Sequence, residues 1–204
     1  MTEFKALIFD LGKVVFDLSF DRVFQSWATS SNGQFKEIKR KFQFDELFEK
    51  FEKSEVSAQE FRTVISKRLN LKLNDKDFDI AWCDLYLDTY DDIGNLLTKL
   101  KSNYKLVALT NTNIIHNKVW RVKYSDTLLN FEKIFSSHEI KTRKPESESY
   151  EIVLDYLKCK PTETIFLDDN LDNIRGAEKL GIITILVTST EQMKQELKKL
   201  GALQ

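Results

Sequence analysis

The sequence predicts an α/β fold, a parallel sheet with helices on both faces, interrupted near its start by a small all-helical insert. Three observations predict it. Ala6, Leu7, Ile8 and Phe9 form an apolar run too short for a helix but rich enough in large residues to be a buried strand. Between Phe20 and about Leu87 such runs vanish and apolar residues recur at helical spacing. From Asp92 onward helical and strand patterns alternate.

The elements follow in order. The first strand ends at Asp10, and Gly12 breaks its pattern before Val14, Val15 and Phe16 turn apolar again. In the insert, Phe35, Ile38 and Phe42 mark one helix and Leu47, Phe48 and Phe51 a second. Ser57 with Glu60 forms a capping box before a third helix carrying Phe61, Val64, Ile65 and Leu69. Asn74 or Asp75 caps a fourth, bearing Phe78, Trp82, Leu85 and Tyr86. Many Lys and Glu on these helices read as a solvated face. Beyond Asp92, Ile93, Leu96, Leu97 and Leu100 mark a helix and Lys105 to Leu109 a buried strand, with a short strand at Ile134 and Phe135. Tyr150, Val153, Leu154 and Leu157 mark a helix just after Pro145, where proline suits a first turn. Thr164 to Leu167 is a strand, Ile174, Ala177 and Leu180 a helix closed by Gly181, and Ile182 to Val187 a further strand. Met193, Leu197 and Leu200 lie on a last helix. The result is a Rossmann-like core of residues 1–19 and 88–204 around an insert of residues 20–87.

Composition narrows the function classes. Of 204 residues 42% are hydrophobic, enough for a packed core. With 31 basic and 32 acidic residues the net charge is -1, so electrostatics favours neither nucleic acid nor an anionic membrane as partner. Cys83 and Cys159 form no spaced motif, which suits a reducing cytosol, and Asp10 interrupts the first apolar run too early for a signal peptide. No window is long and apolar enough to span a bilayer. A cytoplasmic monomer or weak dimer is the expectation.

The polar residues fall at the strand ends. The first strand ends at Asp10, the second sheet strand at Thr110-Asn111-Thr112-Asn113, and a third at Asp168-Asp169-Asn170, while Arg143-Lys144-Pro145 precedes the helix of Tyr150. In a parallel sheet these C-terminal ends share one edge, where ligands bind. Singly each has an ordinary reading: a turn at Asp10, another at Thr110-Asn111, a helix N-terminal acidic pair at 168–169, a surface lysine at 144. Together they suit phosphoryl transfer on a small phosphate ester. Asp10 and Asp169 are hard oxygen ligands for Mg²⁺. Asp10 is placed to attack phosphorus and form an aspartyl-phosphate, and Thr110 and Lys144 to neutralise the phosphate oxygens.

The motifs I-F-D-L-G-K-V, A-L-T-N-T-N, R-K-P-E and F-L-D-D-N-L-D-N-I, spanning Phe4 to about Gly181, resemble those of the haloacid dehalogenase-like (HAD) hydrolase superfamily. The combination is similar to the bacterial α-D-glucose-1-phosphate phosphatases and to the N-terminal phosphatase domain of soluble epoxide hydrolases. The resemblance implies Asp10 as nucleophile, and Asp10, the Gly12 carbonyl and Asp169 as Mg²⁺ ligands. It implies Thr110, Asn111 and Lys144 as phosphate contacts, Asp168 behind them, and a helical cap at the insert.

Two departures bear on mechanism. Most phosphatases of the superfamily carry a second Asp, the general acid and base, where this chain has Gly12. Glycine keeps a carbonyl for the metal but supplies no proton, so leaving-group acidity is expected to govern substrate preference and to favour sugar 1-phosphates. Lys13 replaces the usual Asn, and either adds charge beside the phosphate or points to solvent. His116 is either a substitute acid or a hydrogen-bonded structural residue. Trp27, Trp82 and Trp120 read as packing residues. Three alternatives stand beside the phosphatase. A haloacid dehalogenase would leave the acidic pair unexplained. A receiver domain would carry its acidic pair first. A regulatory HAD-fold protein, having lost turnover through Gly12, would bind Mg²⁺ and phosphate without hydrolysis.

Overall fold

A computed structural model describes residues 3–204. The chain begins with β1 (Ala6–Phe9), every residue of which is buried. Next come β2 (Phe16–Leu18), α1 (Phe20–Ser31), α2 (Phe35–Lys41), α3 (Glu46–Glu52), α4 (Ala58–Leu69) and α5 (Asp75–Trp82). A short 3-10 turn, Cys83–Leu85, leads into β3 (Tyr86–Thr89). The remainder alternates: α6 (Ile93–Lys101), β4 (Lys105–Thr110), α7 (Ile114–Lys123), α8 (Ser125–Leu128), β5 (Lys133–Ser136), α9 (Ser137–Ile140), α10 (Ser147–Leu157), β6 (Thr164–Asp168), α11 (Leu171–Glu178), β7 (Ile183–Leu186) and α12 (Thr190–Lys199).

Five strands form one parallel sheet in the order β5-β4-β1-β6-β7, with β1 at its centre. Phe9 pairs with Ala108 on one side and Leu167 on the other, so Asp10 emerges between the ends of β4 and β6. Alternation along β1 divides the core. Leu7 and Phe9 join one apolar cluster with α6, Trp120 and α12, and Ala6 and Ile8 join a second with α10 and α11. Fully burying each such large side chain contributes about 1.5–3 kcal/mol, which holds the polar strand ends in register.

The insert hangs from an antiparallel ribbon in which Phe16 pairs with Thr89 and Leu18 with Tyr86. Its interior is aromatic: Trp27 and Trp82 stack at 5.3 Å, and Phe42, Phe48, Phe61 and Phe78 pack around them. Five helices lie here where spacing predicted four, because α1 buries Val23, Phe24, Trp27 and Ala28 on its own face. The helix expected to carry Leu85 and Tyr86 ends at Trp82, and Tyr86 joins β3, where its ring meets Phe16 edge-on. Pro145 lies just ahead of α10, whose N-cap is Glu146. Among the described residues no helix is long and apolar enough to cross a membrane.

Candidate active site

At the C-terminal edge of the sheet the Lys144 side chain is 1% exposed, with Nζ 2.7 Å from Asp10 Oδ1 and 2.6 Å from Asp168 Oδ2. The surface reading of this lysine is therefore wrong: it is an internal counter-ion held between two carboxylates. Burial pulls Lys144 down, but the Asp10 and Asp168 charges hold its ammonium above the usual lysine value. Burial pushes the Asp10 carboxyl up, Lys144 pulls it back, and Asp168 and Asp169 raise it again. Burial dominates at Asp10, whereas at Lys144 the two neighbouring carboxylates outweigh burial.

Asp168 is fully buried and its oxygens are occupied. It accepts from Lys144, from Asn173 Nδ2 at 3.1 and 3.0 Å, and from the Asn170 backbone N–H at 2.8 Å. It fixes Lys144 and the start of α11. Asp10 Oδ2 and the Gly12 carbonyl accept no hydrogen bond from the described residues, and the Asp169 carboxylate accepts none from any other described residue. Burial and the Asp168 charge push Asp169 up. Lys13 is exposed at the rim, and its charge pulls Asp169 back.

Thr110 ends β4 and is 6% exposed. The Asn111 side chain accepts from the Lys144 N–H and donates to the Lys144 carbonyl, both at 2.9 Å, so it clamps the lysine's backbone. The Asn111 backbone N–H donates to no group among the described residues. Asn113 caps α7 through the Ile115 and His116 N–H groups. His116 is buried, with Nε2 3.0 Å from the Trp82 carbonyl and Nδ1 3.1 Å from Asn113 Nδ2. Burial drives it down to about 3, so the ring is neutral, donating from Nε2 and accepting at Nδ1. Both nitrogens are spent on structure, and His116 is no substitute acid.

These groups floor a cavity of about 410 Å³ whose other wall is the insert: Phe20, Phe44, Phe48 and Glu52, with Leu18 and Tyr86 of the ribbon. Sequence reading missed Glu52, which lies among the lysines and glutamates of α3 and has no motif to mark it. Asn173 was visible only as a letter of the D-D-N-L-D-N run. A Cβ at Gly12 would stand 2.6 Å from Leu18 Cδ1, so a larger residue there needs only the end of that leucine side chain to move.

The model of the family described as haloacid dehalogenase-like hydrolase matches residues 8–187. The chain belongs to the haloacid dehalogenase-like hydrolases. D-ribitol-5-phosphate phosphatase of Bacteroides thetaiotaomicron is 24% identical over 200 residues, 95% of this chain and 96% of that protein. A drimenol cyclase of Aspergillus calidoustus is 27% identical over 95% of this chain, which spans 36% of that larger protein. Among solved structures, a HAD family enzyme of Bacteroides thetaiotaomicron in complex with magnesium and inorganic phosphate matches with a TM-score of 0.79 and 33% identity, over 92% of this chain and 96% of that one.

In this hydrolase Asp10, Asp168 and Asp169 each bring a ligand atom within 4.8 Å of the others, a cluster able to hold a metal ion. The donor set fits a hard divalent cation. Oxygens remain unclaimed on Asp10, Asp169 and Gly12, while Asp168 is committed to its own donors. A cation there also offsets the surplus negative charge.

Proposed function

We propose that this protein is a Mg²⁺-dependent phosphatase that hydrolyses a small phosphate monoester, a sugar phosphate such as α-D-glucose 1-phosphate, through an aspartyl-phosphate on Asp10. The observation that carries the reading is the buried Lys144 ammonium bonded to Asp10 at the sheet edge, beside unclaimed oxygens of Asp10 and Asp169. The phosphatase and the magnesium–phosphate complex among its relatives support it.

Asp10, Asp169 and the Gly12 carbonyl would hold Mg²⁺. Once bound there, the cation would supply charge neutralisation for the phosphoryl group. Asp10 Oδ1, kept in position by Lys144, attacks phosphorus in line. Lys144, the Thr110 hydroxyl and the Asn111 N–H stabilise the equatorial oxygens, and Asn111 and Asp168 hold Lys144 at the distance this requires. Water then attacks the aspartyl-phosphate and frees Asp10. Residues 20–87 form the cap domain over a core of 1–19 and 88–204, excluding bulk water and selecting the leaving group. In the cavity, the faces of Phe48 and Tyr86 and the Glu52 carboxyl suit a ring with one apolar face and hydroxyl edges.

The test is purified protein with Mg²⁺ against a panel of phosphate esters, reading free phosphate. Release from sugar phosphates that stops in excess EDTA is the expected result. Phosphate binding without release from any ester would make the protein a phosphate-binding regulator.

A further inference from the structure

We infer that Glu52, carried by the insert at the end of α3, is the proton donor to the leaving group that Gly12 does not supply. The inference rests on the phosphatase reading above.

Geometry places it. An in-line displacement by Asp10 from the sheet edge sends the leaving oxygen to the opposite side of phosphorus. Opposite the sheet edge lies the insert, and α3 brings Phe48 and Glu52 into the cavity that also holds Asp10 and Lys144. Glu52 is 5% exposed. Arg143 Nε donates to its Oε2 at 3.0 Å, and Arg143 Nη1 lies 3.1 Å from Glu49 Oε1. No hydrogen bond from the described residues reaches Glu52 Oε1, so one oxygen is anchored and the other is available. Arg143 adjoins Lys144, so this contact joins the insert to the loop that delivers the catalytic ammonium.

The protonation state fits the role. Burial pushes the Glu52 carboxyl up to about 7; Arg143 and Lys144 pull it down and Glu49 pushes it up. Across the cavity stand Asp10, Asp169 and, at the rim, Lys13. A carboxyl titrating near neutrality is an efficient general acid. Tyr86 and His116 are the other titratable side chains on this wall; burial pushes the Tyr86 hydroxyl far above the usual tyrosine value, and His116 has both nitrogens bonded elsewhere.

The step balances. As the phosphorus–oxygen bond breaks, the proton on Oε1 passes to the leaving oxygen and the alcohol departs. The Glu52 carboxylate then takes a proton from the water that attacks phosphorus of the aspartyl-phosphate. Phosphate leaves, Asp10 is a carboxylate again, and Glu52 is protonated; one water is consumed.

The experiment compares Mg²⁺-loaded wild type with Glu52→Gln on esters of graded leaving-group acidity, from p-nitrophenyl phosphate to a sugar 6-phosphate, across pH. Wild type should depend weakly on leaving-group pKa and lose alkyl-ester turnover as pH rises through about 7. Glu52→Gln should lose about 10²–10⁴-fold on the sugar 6-phosphate, much less on the aryl ester, and lose the alkaline limb. Glu52→Asp, which keeps an acid, should recover part of the alkyl-ester rate and of that limb. Arg143→Gln, which breaks the anchor, should slow both esters alike. Equal losses on both esters in Glu52→Gln, with an unchanged pH profile, would overturn the inference and reduce Glu52 to a partner of Arg143. The parent reading would survive that result as long as Asp10→Asn is inactive on both esters. A wild type that hydrolyses no ester would overturn both.

Discussion

The sheet edge presents three carboxylates and one ammonium, with Asp10 and Asp168 locked to Lys144 at 2.7 and 2.6 Å, whereas the insert facing it presents aromatic rings and one carboxyl bonded through a single oxygen. On the core side the carboxylates stand at strand ends, and the clamp of Asn111 on the Lys144 backbone leaves the lysine little freedom. That wall suits a constant demand, the phosphoryl group. On the insert side contacts are mostly dispersive, and the wall is tied to the core by polar links. Among them are Glu52 and Glu49 with Arg143, Lys53 with Glu146, Ser54 with the His138 carbonyl, His116 with the Trp82 carbonyl, and Lys123 and Tyr124 with the Tyr86 and Leu87 carbonyls. That wall suits a variable demand, the leaving group. The difference teaches that charge placement and substrate choice are separable here, and that they should fail separately.

Changes on the core side should be the most damaging. Lys144→Met leaves Asp10 and Asp168 facing each other without a counter-ion. Breaking a buried pair in this way costs about 3–5 kcal/mol, so a large fall in the urea midpoint should accompany loss of turnover. A stable and active variant would show that the ammonium is dispensable. Asp169→Asn should preserve the fold and weaken Mg²⁺ binding by about tenfold or more in calorimetry, with activity partly recovered at high Mg²⁺. Unchanged metal affinity would move the cation elsewhere.

Insert changes should be milder and selective. Phe48→Ala should raise KM for a sugar phosphate by about three- to tenfold, the worth of one aromatic contact, and leave inhibition by inorganic phosphate as it was. A parallel loss of phosphate binding would mean that the two walls do not act independently. The last effect concerns the seam and is read in stability, not turnover. An unfolded histidine titrates near 6.5 and folded His116 at about 3, so its contribution to stability is complete above pH 6.5 and is lost as pH falls toward 3. His116→Gln should lower the urea midpoint at pH 7, through about 1–3 kcal/mol of disturbed hydrogen bonding. It should also flatten the fall between pH 7 and pH 5. An undiminished pH slope would assign acid sensitivity to other groups.

The same contrast explains what could be read from the sequence. Asp10, Thr110 and Asp168-Asp169 were legible because buried strands are continuous apolar runs and a polar residue at their end has to face the sheet edge. The burial of Lys144 was not legible, since it depends on Asp10 and Asp168 arriving from strands 134 residues before it and 24 after it. Glu52 was hidden by composition. On α3 it is one of several glutamates at helical spacing, and only the packing of α3 against the Arg143 loop separates it from the solvated ones. Tyr86 was misplaced because helical spacing from Phe78 ran on through it, whereas pairing with Leu18 drew it into β3.

The central claim is that the phosphoryl group passes through Asp10. Wild-type protein turning over a slow ester with Mg²⁺, quenched in acid and reduced with borohydride, should yield a modified peptide containing Asp10. Asp10→Asn should release phosphate about 10⁴-fold more slowly or worse and yield no such peptide. Sustained turnover by Asp10→Asn, or a covalent phosphoryl group trapped on a different residue, would contradict the account.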